Sequence, residues 1–384
     1  MDHFNIYWGA VILLLPLWIR IEKIPVDMRF TKDMFFNVCV MMSLVLFARR
    51  KKIDIKILSI CLGIIFVSFY NQWLITSYAV INQFICVVMG VLCFIQFHSK
   101  LKKNDENFYL NILSISAIIQ AVLVVFTYAD INLYYYIIKI FNWGANYKLG
   151  SSMIPYLGSL GNPMVCSTFL SITTISLLRN KWFLFLPLNL WAIYLTDSAS
   201  GIVSCFFGLF TYFMMKYFKS KKITFLSIGF LIFLGSVLVA FGREKFSLLD
   251  DNNRFIVWKQ SLTFIDGINV LYGRGLGFIA DNYSRVYPIY GEPFRHLHNE
   301  YLEVFLAYGI IGLLILLLTL FVMLKRANNT IIISIVIAYL ITMITSITLH
   351  ISATAIIGIL LVAFCLIKGE KNGLNNCSTR TEYN

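Results

Sequence analysis

The chain has 384 residues, of which 59% are hydrophobic and only 13% charged. That charged share is about half of what a soluble domain carries. It leaves too little polar surface to dress a soluble fold of this size, which excludes a soluble enzyme, a nucleic-acid-binding domain and a disordered chain. The 32 Lys and Arg against 19 Asp and Glu, formally +13, then read as the basic bias that orients a membrane protein, with no nucleic acid as partner. The apolar runs are continuous, whereas β-barrel strands alternate apolar and polar residues over ~10 positions. A helix crosses the hydrocarbon core in about 20 mostly apolar residues. The runs predict about twelve spans, near 4–19, 34–48, 57–75, 79–97, 108–128, 163–178, 182–196, 201–217, 223–241, 303–324, 330–349 and 352–367. The first lacks a basic leader and is expected to be retained as a span rather than cleaved as a signal peptide.

Orientation follows from the connections. Arg49, Arg50, Lys51, Lys52 and Lys56, then Lys100, Lys102 and Lys103, Arg179 and Lys181, Lys216, Lys219, Lys221 and Lys222, Lys325 and Arg326, and the tail residues Lys368, Lys371 and Arg380 all belong to one set of loops. That set is expected to be cytoplasmic, with both termini inside and 130–162 and 242–302 outside. The expected organisation is a nine-helix region over 1–241, one large extracytoplasmic loop over 242–302, three C-terminal spans over 303–367 and a cytoplasmic tail over 368–384. Seven of the eight cysteines lie in apolar runs and only Cys377 lies in a polar tail, so neither a disulfide framework nor a zinc site is indicated.

The 242–302 loop is where polar chemistry concentrates. It carries His296, His298, Trp258, and the tyrosines Tyr272, Tyr283, Tyr287 and Tyr290. Long ordered loops are commonly functional. Its end, Arg295-His296-Leu297-His298-Asn299-Glu300-Tyr301-Leu302-Glu303, runs into the tenth span. A helix beginning near His298 would align His298, Leu302, Phe305, Gly309 and Gly312 on one stripe, where two glycines let a neighbour approach closely. An imidazole at the end of that stripe could take a proton from a hydroxyl; it could equally be part of a polar helix cap. Arg254 could serve a substrate or simply pair with Asp250 or Asp251. Those two carboxylates have no third ligand at fitting spacing, so no metal is expected. Gly273-Arg274-Gly275-Leu276-Gly277 reads as a tight turn rather than a nucleotide loop. His296 and His350 read as polar groups at the outer surface. The tyrosines and Trp258 read equally as an interfacial belt and as a sugar platform.

The spacing His298-Asn299, nine residues, Gly309, two residues, Gly312 resembles the signature of the bacterial O-antigen ligase and O-antigen polymerase family. Its position at the end of one large periplasmic loop matches as well. Arg254-Phe255-Ile256-Val257-Trp258 followed by the glycine turn at 273–277 resembles that family's segment upstream of the histidine. Gly161-Asn162-Pro163 resembles its Asn-Pro element. One departure stands out: where the family often carries Ser-Arg after the seventh span, this chain has Thr196-Asp197-Ser198-Ala199-Ser200-Gly201.

The resemblance implies an all-α polytopic fold of the GT-C kind in the bacterial inner membrane. It implies transfer of a glycan from undecaprenyl diphosphate to an acceptor hydroxyl, on lipid A core or on another lipid-linked glycan. The implied chemistry is inverting, with no cofactor and no metal. In that setting His298 would deprotonate or hold the acceptor, with Glu300 or Glu303 orienting its ring. Arg254, Arg274 and Arg295 would hold the diphosphate, because a guanidinium offers phosphate two hydrogen bonds from one planar fork. Asn299, Gly309, Gly312, Asn162 and Pro163 would be structural. Ligase and polymerase remain equal readings. The alternative from another class is a transporter or flippase without covalent chemistry; the near-absence of charged residues at span centres counts against it.

Overall fold

The protein is described from a computed structural model that covers residues 2–17, 32–47, 62, 78–130, 136, 158–160, 162–223, 226–229, 254–279, 282, 296–327, 329–346 and 348–367. The expected span at 57–75, most of that at 223–241, the tail, Arg295, Asp250, Asp251, Tyr283, Tyr287 and Tyr290 lie outside the described residues.

The described residues are helical and contain no strand. The helices are α1 His3–Leu14, α2 Lys32–Phe47, α3 Tyr78–Lys100, α4 Glu106–Ala129, α5 Pro163–Thr174, α6 Leu186–Leu195, α7 Ala199–Phe218, α8 Arg254–Leu262, α9 Asn269–Tyr272, α10 Glu300–Arg326, α11 Thr330–Thr345 and α12 Ser352–Leu366. Among the described residues, three stretches are long and apolar enough to cross a membrane by length and composition: Lys103–Ala129, Ala199–Phe218 and Glu300–Arg326. Shorter apolar helices fill several other expected spans. The described elements are thus all helical, and their long apolar helices suit a membrane.

Local chemistry sets the helix starts. Asn162 accepts from the Met164 and Val165 N–H groups at 2.9 and 3.3 Å, with Pro163 in the first turn. This pairing suits a helix N-terminus, because the side chain satisfies orphan N–H groups and proline lacks one. Asn329 caps α11 in the same way, accepting from Ile331 N–H at 2.9 Å.

The core is built around α11, which is apolar on every side, as befits a fully enclosed helix. Ile333, Ile335, Val336 and Ala338 are all fully buried. Helix α7 packs closely on α11, and a Cβ on Gly208 would lie 3.1 Å from Ala338 Cβ. A second centre joins α1 to α3 and α4 through Phe4, Trp8, Phe97 and Tyr109, stacked edge to face. The outer face of α10 leaves Leu314, Leu317, Leu318 and Phe321 exposed, an apolar surface suited to lipid.

The two ends of the bundle differ. At one end Arg179 donates to Asn107 O at 2.9 Å, Glu106 meets Asn329, and Lys221 donates to the Ala327 carbonyl just past the C-terminus of α10. A cation there offsets the negative end of the helix dipole. At the other end Thr168 reaches Ser346 at 3.2 Å and Ser200 meets Thr345. The His298 segment lies at this second end.

Candidate active site

The 242–302 region is not a plain loop: its described part folds into α8, α9 and a small apolar cluster. Val257, Ile279, Leu297 and Leu306 are buried together, with Trp258, Phe264, Phe278 and Leu302 packed around them. Helix α8 puts Arg254 and Trp258 four residues apart, hence on one face. Trp258 Nε1 donates to Leu297 O at 2.9 Å, immediately before His298. Arg254 Nη1 donates to Thr345 O at 3.4 Å, at the C-terminal end of α11. The segment expected to resemble an Arg-to-Trp element therefore grips the histidine segment from one side and α11 from the other.

Helix α10 begins at Glu300, two residues later than the stripe reading requires. Asn299 is its N-cap and accepts from Leu302 N–H at 3.0 Å. His298 sits before the cap with φ 54, a left-handed conformation uncommon for a side-chain-bearing residue. The imidazole is partly buried. Burial first, then the Arg254 charge and then His296, pull its pKa down to about 4, with Glu303 opposing. At neutral pH the ring is therefore neutral, the form that can accept a proton.

Gly309 breaks α10 with φ 64 and ψ −162, so the expected single stripe is interrupted there. The close approach that the two small residues suggested is real, but it is a crossing of main chains rather than of helix faces. A Cβ on Gly309 would lie 2.2 Å from Leu271 O, and one on Gly273 would lie 2.4 Å from the Ala307 carbonyl. Across this crossing Arg274 N–H donates to Leu306 O at 2.6 Å and Gly275 N–H to Ala307 O at 3.0 Å. Gly273, Gly275 and Gly277 all have positive φ, so the 273–277 segment is the tight turn expected. Gly312 lies in ordinary helix one turn on, beneath Tyr308.

The remaining candidates have definite partners. The Arg274 guanidinium is held at 2.6 Å by both Phe264 O and Asp266 Oδ1. Glu303 Oε1 lies 2.7 Å from His296 Nδ1, and its Oε2 accepts from Leu297 N–H at 3.0 Å. Glu300 Oε1 lies 2.8 Å from His350 Nδ1. Both carboxylates thus meet imidazoles other than the His298 ring they were expected to orient. Sequence reading left His296 and His350 as separate surface groups, whereas their rings lie 4.8 Å apart, centroid to centroid. The stretch 196–201, where the family's arginine is missing, adjoins the site: Ser200 meets the hydroxyl of Thr345, whose carbonyl takes Arg254.

A partly buried imidazole near a guanidinium thus stands at one end of an apolar helical bundle. Residues 183–317 match the family model described as O-antigen ligase. That stretch holds α6 to α8, His298, Gly309 and Gly312, so the resemblance carried by the histidine signature is supported by an independent comparison. No curated protein matches the chain.

Proposed function

We propose that this chain is a glycosyltransferase of the bacterial inner membrane that moves a glycan from undecaprenyl diphosphate to an acceptor hydroxyl in surface polysaccharide synthesis. The observation that carries this reading is the match of residues 183–317 to O-antigen ligases, a stretch in which Trp258 Nε1 donates to the Leu297 carbonyl beside His298 and Arg254 stands on the same face of α8. In the proposed step the acceptor oxygen forms a bond to the anomeric carbon as the bond to the diphosphate breaks. The acceptor proton passes to His298, and the leaving diphosphate gains charge. In this reading Arg254 supplies the cation for that charge, and a preorganised cation there lowers the barrier. Arg274 supports the turn beneath the site through its contacts with Phe264 and Asp266. Arg295 is proposed for the donor on sequence position alone. The acceptor is lipid A core or a second lipid-linked glycan, and the site faces outward, with both termini in the cytoplasm.

The test is His298→Ala in a strain lacking the native protein. Surface polysaccharide should be lost while the variant stays in the membrane at normal level; normal polysaccharide overturns the reading. In vesicles holding lipid-linked glycan and acceptor, new covalent product is expected. Translocation without product would instead make the protein a transporter.

A further inference from the structure

Glu300 and Glu303 stand in the first turn of α10, and both are buried, at 0% and 6% exposure. Two buried carboxylates side by side require positive charge nearby. Imidazoles reach them from two directions, His296 from the segment just before α10 and His350 from the turn between α11 and α12. His296 Nδ1 is 2.7 Å from Glu303 Oε1, and His350 Nε2 is 3.7 Å from the same oxygen. Ligand-capable atoms of His296, Glu303 and His350 all lie within 4.8 Å of one another. In a tetrahedral zinc site with bonds of about 2.0–2.2 Å, ligand atoms stand about 3.4 Å apart. Both distances to Glu303 Oε1 are within an ångström of that.

The surroundings of His350 add a second observation. Its Nε2 faces Glu303 while its Nδ1 lies 2.8 Å from Glu300 Oε1. Glu300 is itself fixed, because its Oε2 accepts from Leu349 N–H at 3.2 Å. Metal-bound histidines characteristically turn the second ring nitrogen toward an anchored carboxylate; here the two atoms stand at ion-pair distance without the geometry of a formed hydrogen bond. We propose that His296, Glu303 and His350 bind a divalent transition metal of the zinc class, with Glu300 orienting His350 and a fourth position open to water. One dication balances the two buried carboxylates while both imidazoles stay neutral, the form a metal requires. Two nitrogen ligands and one carboxylate suit zinc rather than calcium or magnesium. His298 is not a ligand. The ion's role is to pin the 348–351 segment to the segment carrying His298, and the proton transfer assigned to His298 does not pass through it.

The experiment uses the full chain in detergent, stripped with a chelator and then dialysed against Co²⁺. One ion per chain and the visible d–d bands of tetrahedral cobalt are expected, and Zn²⁺ should abolish the bands. Glu303→Gln and the His296→Gln/His350→Gln pair should weaken binding at least about tenfold, and Glu300→Gln by about 10–100-fold. Three outcomes overturn the proposal: wild-type protein that takes up no cobalt, a thiolate charge-transfer band that traces the metal to cysteine, and bands that persist in the double histidine variant. The wild-type measurement decides even if a variant fails to fold. The readout needs no glycan, so its failure leaves the transferase reading, which rests on His298 and Arg254, untouched.

Discussion

Arg254 and Trp258 act on opposite sides of the same local problem, which is to hold a histidine in a strained backbone conformation. Trp258 donates through Nε1 to the Leu297 carbonyl, beside His298. Replacing it by Phe keeps the ring in the apolar cluster but leaves a buried acceptor unmatched, a loss of about 1–3 kcal/mol. Trp258→Phe should therefore lower the unfolding temperature in detergent and reduce transfer together; an unchanged melting profile would contradict the assignment. Arg254→Lys is the complementary case. Lysine keeps the charge but not the planar fork that suits phosphate. Transfer should fall by at least about tenfold while the melting temperature holds, a split measurable by running both assays on one preparation.

At the scale of elements, the crossing of main chain at 271–273 with that at 307–309 fixes where the loop region meets α10. Gly309 has a positive φ and no room for a Cβ, so Gly309→Ala combines backbone strain of about 1–3 kcal/mol with a steric clash. Gly90, inside α3, is the control: its Cβ would sit 3.6 Å from Ile359 Cδ1, an ordinary contact, and alanine there gains about 1 kcal/mol of helix propensity. Thermal unfolding should place the two variants on opposite sides of the wild type. Much at this scale was legible in the residues. Asn162-Pro163 reads as a helix start, the Arg254 to Trp258 spacing places both on one face, and the glycine run reads as a turn. The start of α10 was misread by two residues, because a cap is set by where a side chain can turn back to an N–H, here Asn299, and not by the apolar pattern that follows. The partnership of His350 with Glu300 was not legible at all. The two are 50 positions apart in sequence, and only the packing of α10 against α11 and α12 brings them together. His296 and Glu303 are seven apart, but His296 precedes α10, so helical spacing does not account for their contact.

For the whole molecule, the contrast between the two ends makes orientation testable. Asp266 is 73% exposed beside the site end, and Lys222 is exposed at the opposite, basic end. In intact spheroplasts, a membrane-impermeant maleimide should label Asp266→Cys, and label Lys222→Cys only after permeabilisation. The unsubstituted protein is the background, since most of its described cysteines are buried. The reverse pattern would turn the molecule over and remove the site from any lipid-linked donor outside the cell. The basic connections lead to this expected polarity because charge bias acts locally on each short loop, whereas the meeting of α7, α8 and α11 at Thr345 depends on long-range packing that no single segment encodes.

The crossing at Gly273 and Gly309 has a consequence for how this region tolerates change. Contact there is made through peptide groups, which every residue shares, so the flanking positions are at liberty to diversify while the two glycines are not. A saturation library through 269–275 and 305–312 should return a broad spectrum at Val270 and Leu271, whose side chains point to solvent or lipid, and a near-empty column at 273 and 309. Adaptation to a new sugar would then proceed by redecorating a fixed joint rather than by rebuilding it.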